Sequence, residues 1–139
     1  MIYLVRFMEN YLDNFEKTAG KIWKTLDKYG ALNETDLIKK NKLNHNEFYA
    51  GIGWLARENK ICKKGTKYQL GETNLTDYIG SNAGKVWNTL NSTHNLDIST
   101  IAEISQIKID DTYYALGWLA RENKIKASTG KEKKYYLLY

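Results

Sequence analysis

The nine-residue stretch Gly-Trp-Leu-Ala-Arg-Glu-Asn-Lys-Ile occurs twice in this chain of 139 residues, at 53–61 and again at 117–125. The two occurrences are 64 positions apart, and the same shift aligns residues 19–61 with residues 83–125 without a gap. That alignment has 17 identities in 43 positions. Self-similarity at a fixed spacing indicates that one structural module is present twice.

The hydrophobic pattern outside the shared stretch predicts a first helix in each copy. Apolar residues recur at helical spacing from Phe15 to Leu26, and Gly30 predicts the end of this helix because glycine readily takes the left-handed conformation. Trp23 and its counterpart Trp87 fall within the apolar pattern, so both are expected to pack in a core.

Two further helices are predicted in each copy. A short extended piece precedes the second helix, whose capping residue is Asn33 in copy one and Asp97 in copy two. The third helix begins after Asn44, with Glu47 placed to complete a capping box. Two short segments, 60–63 and 67–70, then flank a glycine-containing tip and predict a hairpin. In copy two the hairpin comprises residues 125–128 and 134–138, with its tip at 129–131.

The third helix has two different sides. One carries the stripe Phe48, Gly51, Ile52 and Leu55 and should face the core. The other carries Gly53, or Gly117 in copy two, which indicates that something approaches the helix closely, either a DNA backbone or the sister copy. Trp54 and Trp118 lie at the flank and are expected to pack on the hairpin or on the sister copy.

Helix, short strand, helix, helix and hairpin is the order of a winged helix-turn-helix domain. On residues 82–87 and 117–125, the sequence resembles a small prokaryotic winged helix family of unknown function, whose members normally have one copy. The resemblance covers nearly all of the chain except about the first dozen residues. It implies the fold and nucleic-acid binding, and it supplies no activity and no catalytic residues.

We therefore predict a mainly α protein with small β-wings (α+β) that consists of two tandem winged helix-turn-helix domains. Residues 1–72 form the first domain with an N-terminal extension, and residues 73–139 form the second. Residues 1–7 have no counterpart in copy two. Among an added strand, a start-site artefact and a lengthened first helix, the lengthened helix is favoured, because apolar residues continue the stripe.

Composition excludes several classes of protein. No apolar run approaches the roughly 18 to 20 residues of a membrane span, and the single cysteine, Cys62, cannot form an internal disulfide, so we expect a cytoplasmic protein without membrane contact. We find no set of convergent catalytic or metal-binding residues and no phosphate-binding loop, and therefore expect neither an enzyme nor a cofactor.

The charge points to a polyanionic partner. The net charge is +5, with 13 basic and 9 acidic side chains in residues 1–74 against 8 and 7 in residues 75–139, although such a charge is also ordinary for solubility. The candidate nucleic-acid contacts of copy one are Lys39, Lys40, Lys42, Asn44, Asn46, Tyr49, Lys63, Lys64 and Lys67. Those of copy two are Lys126, Lys131, Lys133 and Lys134, since Asp110 and Asp111 would repel phosphate at the start of its third helix.

The leading hypothesis is binding of double-stranded DNA, mostly through phosphates, by a transcription regulator or a nucleoid-associated protein. A second hypothesis is a protein-interaction or assembly module. In it, the outward faces and the N-terminal stripe bind a protein or a second chain, with Tyr113, Tyr114 and the Asp110–Asp111 pair at the interface. RNA binding is a third.

Overall fold

A computed structural model describes residues 2–128 and 133–138, with side chains described from residue 14 onward. The helices of copy one are α1 (Ile2–Tyr29), α2 (Glu34–Asn41) and α3 (His45–Arg57). Those of copy two are α4 (Ser81–Ser92), α5 (Ile98–Ser105) and α6 (Ile109–Arg121), preceded by a π-helical turn at Thr76–Gly80. The predicted α+β fold class with a repeated three-helix unit is confirmed.

Small antiparallel sheets close the two units. In copy one β1 (Leu32–Asn33) and β2 (Ile61–Lys64) pair on either side of β3 (Lys67–Leu70). In copy two β4 (Ile125–Ala127) pairs with β5 (Tyr135–Leu137). The predicted tip of this second hairpin, with Lys131, lies outside the described residues.

The predicted helix caps are confirmed. Asn33 and Asp97 accept a hydrogen bond from the backbone amide three residues further on, at 2.8 and 2.9 Å. At α3 the capping box is complete, because Asn44 accepts from the amide of Glu47 at 2.8 Å and the Glu47 carboxylate accepts from the amide of Asn44 at 3.0 Å. These local bonds fix where each helix begins.

The first helix ends and begins as the sequence indicates. It ends at Tyr29, and Gly30 has a φ of +78°, a conformation that favours glycine. At the other end, the backbone is helical from Ile2 onward, which agrees with the lengthened helix favoured for residues 1–7.

Each unit has its own core. In copy one the core is built on Ile22, Leu37, Phe48, Ile52 and Leu55, all almost fully buried, so the predicted core stripe of α3 is confirmed. The second core has the corresponding composition, with Val86, Leu90, Ile101, Leu116 and Leu119.

The core position expected for Trp23 is wrong, since this side chain is 37% exposed. The buried side of α1 is centred on Ala19, Ile22 and Leu26. At 100° per residue, Trp23 projects beyond the edge of that stripe, so the ring reaches solvent. Its counterpart Trp87 is half-buried against the second core.

The segment between the copies is tied to the first hairpin. The backbone amide of Lys63 donates to the side chain of Asn74 at 2.9 Å, and the Asn74 amide group donates to the carbonyl of Lys63 at 2.7 Å. Asn59 accepts from the amide of Thr73 at 2.8 Å. These bonds tie the start of the link between the copies to copy one.

Candidate nucleic-acid interface

The two third helices, α3 and α6, pack against each other through their glycines. A Cβ atom added at Gly53 would collide with the backbone carbonyl of Tyr114, and one added at Gly117 would collide with the carbonyl of Ala50. The two contacts are reciprocal, as in an interface between two copies related by a two-fold axis. The close approach indicated by these glycines is therefore made by the sister copy.

Two ion pairs join the C-terminal ends of these two helices. The Nε atom of Arg57 lies 3.1 Å from a carboxylate oxygen of Glu122, and Nε of Arg121 lies 3.0 Å from one of Glu58. Because both arginine side chains are 46% exposed, each pair contributes at most about 1 kcal/mol. The two pairs are reciprocal, as the glycine contacts are: each arginine meets the glutamate that follows the other helix.

The tryptophans at the flank of the third helices join the same interface. The guanidinium group of Arg57 lies 5.7 Å from the ring of Trp118, and that of Arg121 lies 5.8 Å from the ring of Trp54. Both distances are within the range of cation–π attraction. Packing on the sister copy, one of the two positions predicted for these tryptophans, is confirmed.

The side of α3 that a winged helix would place in the major groove is covered. Winged helix domains that read bases do so from the third helix. In this chain Ala50 is fully buried and Tyr49 is 8% exposed, and both lie in the contact with copy two. Base edges are therefore out of reach of the middle of this side of α3, around Ala50 and Gly53.

The predicted lysine contacts of copy one remain at the surface. Lys39 and Lys40 are in the last turn of α2, and Lys42 follows it in a left-handed conformation, with a φ of 53°. All are exposed, as are Lys63, Lys64 and Lys67 on the first hairpin. None of the ion pairs among the described residues involves any of these six.

The other predicted contacts of copy one have different surroundings. Asn46 is exposed in the first turn of α3, whereas the side-chain oxygen of Asn44 is occupied by the helix cap. Tyr49 donates its hydroxyl to Glu34 at 3.2 Å, and its ring centre lies 4.9 Å from that of Tyr114. Tyr49 is thus held inside the interface between the copies.

Copy two presents fewer amines. Lys133 and Lys134 are exposed and Lys126 is half-buried on β4. At the start of α6, Asp111 accepts a hydrogen bond from the hydroxyl of Tyr78 at 2.6 Å, and Asp110 is exposed beside it. These carboxylates make this end of copy two unfavourable for phosphate.

Sequence reasoning missed four lysines on α1. Lys17, Lys21, Lys24 and Lys28 are exposed and recur at intervals of four, three and four residues, so they form a row about 16 Å long opposite the buried side. The spacing of these lysines is itself the sequence signal that identifies the row.

The row on α1 adjoins the lysines of α2. The Nζ atoms of Lys28 and Lys40 lie 5.2 and 4.3 Å from the ring centre of Tyr29, which is 53% exposed. Nearby, the hydroxyl of Thr25 donates to Asn41 at 2.9 Å and joins the two helices. We name the combined set the lysine surface, which comprises Lys17, Lys21, Lys24, Lys28, Lys39, Lys40 and Lys42.

The duplication provides an internal comparison for this surface. By the shift of 64 positions, only Lys21 has a lysine as its counterpart, Lys85 on α4, while the other six positions are Ser81, Asn88, Ser92, Glu103, Ile104 and Gln106. The lysine surface therefore belongs to one copy of a shared fold.

The part of the chain that the structure describes offers little to a metal ion or a membrane. It contains no group of three or more histidine, cysteine or acidic side chains that could hold a metal ion, and none of its helices is long and apolar enough to cross a membrane. His45 lies 3.4 Å from Glu34 with its side chain 70% exposed.

Two three-helix units, each closed by a hairpin, define a tandem winged helix-turn-helix protein. The chain belongs to the family described as winged helix-turn-helix domain (DUF2582), which matches it twice, over residues 13–71 and 72–138. The resemblance and the tandem arrangement are thus confirmed, and the family is one of unknown function. No curated protein and no solved structure matches the chain.

Proposed function

We propose that this protein binds double-stranded DNA without catalysis, through backbone phosphates that contact the lysine surface. One observation carries the proposal: seven exposed ammonium groups on two adjoining helices have no carboxylate partner among the described ion pairs. Clustered, unpaired amines are the usual means of neutralising a phosphate backbone.

The interface between the copies argues for phosphate contact rather than base reading. Phosphate contacts position a protein, whereas specificity needs side chains at base edges. With the middle of the outer side of α3 packed on α6, the exposed amines of α1 and α2 suit the backbone of any sequence. This favours a nucleoid-associated role over recognition of a single operator.

The assembly hypothesis loses its main support in the same contact. The outward faces it invoked pair with each other inside one chain, and the hydroxyl of Tyr114 lies 3.1 Å from that of Tyr68 across the two copies. RNA binding would use the same amines, so a competing RNA hairpin belongs in the test of function.

The central test measures affinity for a fluorescently labelled duplex by anisotropy over a range of salt concentrations. The wild-type protein should show a log–log slope of about −0.9 for each phosphate contacted. The variant K39Q/K40Q/K42Q should bind more weakly with a shallower slope, and an RNA hairpin should compete less well than duplex DNA. Absence of binding at low salt, or an affinity insensitive to salt, would contradict the proposal.

The duplication offers a matched control. Lys21 and Lys85 occupy the same position of the module, and both are exposed. We expect K21Q to reduce the salt slope by about one contact and K85Q to leave it unchanged. Equal effects of the two substitutions would mean that net charge, and not the lysine surface, determines binding.

A further inference from the structure

A half-open cavity of about 380 Å³ lies between the two copies, and no residue of the lysine surface lines it. It falls within the size range of small-molecule sites. Four tyrosines from both copies form much of its wall, namely Tyr49, Tyr68, Tyr78 and Tyr114, and Leu75 and Ile79 supply an apolar side. No part of the proposed DNA contact requires this cavity.

The tyrosine hydroxyls are held in fixed positions. Tyr49 donates to Glu34, Tyr78 donates to Asp111, and the hydroxyls of Tyr68 and Tyr114 bond to each other. Burial raises the pKa of Tyr114, as it does that of Tyr68, so both remain neutral at physiological pH. The negative charge of the cavity therefore resides on carboxylates.

The walls favour a cation. Three carboxylates line the cavity, those of Glu34, Asp110 and Asp111, against the two ammonium groups of Lys63 and Lys108. Aromatic faces also attract cations. One of the chain's own cations already uses such a face, since the Nζ atom of Lys63 lies 5.3 Å from the ring centre of Tyr68.

Copy one has no equivalent of this arrangement. At the positions that correspond to Asp110, Asp111 and Tyr114 it has Asn46, Glu47 and Ala50. The carboxylate of Glu47, which corresponds to that of Asp111, accepts a hydrogen bond from the backbone in the capping box of α3. The pair of carboxylates that Asp110 and Asp111 bring to the cavity is thus particular to copy two.

We propose that this cavity binds a small organic cation, an ammonium group carried on an apolar body. The ammonium group is directed to Asp110 and Asp111 and to the tyrosine faces, and the body contacts Leu75 and Ile79. Such a ligand contacts both copies at once, so its binding stabilises their association. The proposal does not depend on DNA binding.

Calorimetric titration of the full chain with phenethylammonium chloride tests this site, with 2-phenylethanol as the neutral probe of similar shape. We expect the ammonium to bind and the alcohol to bind at least about tenfold more weakly. In D110N/D111N the ammonium should lose at least about tenfold in affinity. The control E103Q removes an exposed carboxylate of α5 that does not line the cavity and should change nothing.

A second variant, K108Q, separates the loss of a binding contact from a folding defect in D110N/D111N. K108Q removes one of the two competing ammonium groups, so it should bind phenethylammonium more tightly than the wild type does. Equal affinity for the ammonium and the alcohol, unchanged binding in D110N/D111N, or no binding of the ammonium at millimolar concentration would each overturn the proposal.

Discussion

At the scale of single residues, the glycines at the crossing of α3 and α6 determine how the copies meet. A glycine inside a helix costs about 1 kcal/mol relative to alanine. Gly53 and Gly117 occupy such positions, and each leaves just enough room for a backbone carbonyl of the sister helix. The intrinsic cost is offset by the contact between the copies.

The substitution G53A should therefore destabilise the protein. The added methyl group meets the backbone of Tyr114, which cannot move aside as a flexible side chain would, so we expect a loss of about 1 to 3 kcal/mol in the free energy of unfolding. Urea denaturation followed by circular dichroism measures it.

Gly20 and Gly84 provide the matched controls for G53A. Both lie inside helices, and a Cβ at either would meet nothing within 4 Å. G20A and G84A should stabilise by about 0.5 to 1 kcal/mol through helix propensity alone. A G53A protein as stable as these two would show that the helices do not pack as described.

Features that depend on local bonds could be predicted from the sequence. The caps at Asn33, Asn44 and Asp97 need only a side-chain oxygen and an amide three residues away. Trp23 could not be placed correctly, because a position at the edge of a helical stripe is buried only if a neighbouring element covers it. The sequence pattern alone does not indicate that neighbour.

At the scale of elements, α5 gives a prediction of pH dependence. Hydrogen bonds from Thr100 lower the pKa of Asp97, its N-cap, with a small contribution from Lys134. A carboxylate with a lowered pKa stabilises the fold above its unfolded-state pKa, and this stabilisation is lost as the pH falls through the folded-state pKa.

The substitution D97N should remove that acid sensitivity and keep the cap, because asparagine accepts the same hydrogen bond, as Asn33 does in copy one. The urea midpoint of D97N should therefore fall less than that of the wild type between neutral pH and about pH 3. Parallel declines in the two proteins would contradict the role given to Asp97.

The elements of the candidate site were only partly predictable. Lysines near the helix-turn-helix and the hairpin were expected to contact DNA because the fold directs attention there. The row from Lys17 to Lys28 lies on the outer side of α1, and its continuity with Lys40 depends on how α1 and α2 meet at Tyr29. That meeting is a tertiary contact with no signature in sequence spacing.

At the scale of the whole molecule, the two units should unfold together. Besides the contact of α3 with α6, Phe15 of α1 packs against the second core, so part of copy one completes copy two. We expect one urea transition, with coincident curves from tryptophan fluorescence and circular dichroism. Two separate transitions would show that the units are independent.

The substitution F15A tests the same coupling. It removes a copy-one side chain from the second core and should lower the free energy of unfolding of the entire chain by about 2 kcal/mol. The expected loss is smaller than for a fully buried aromatic residue, because Phe15 is only partly buried. The transition should stay single. A new early transition in F15A would indicate that the second core unfolds alone.

If DNA binds through the lysine surface, α3 and α6 stay together while DNA is bound. The side chains of Arg57 and Glu122 meet across the interface, so cysteines at these two positions can be joined by a short bis-maleimide that locks the helices. The native Cys62 is replaced by alanine in this variant, so that it does not react. The same variant without the cross-linker is the control.

Duplex affinity of the locked protein, measured over a range of salt concentrations, is the most direct test of this account. Because the lysine surface lies on α1 and α2, we predict that locking leaves both the affinity and the salt slope unchanged. Loss of binding in the locked protein, restored when the cross-linker is omitted, would show that α3 must leave α6 to enter the groove and would contradict the account.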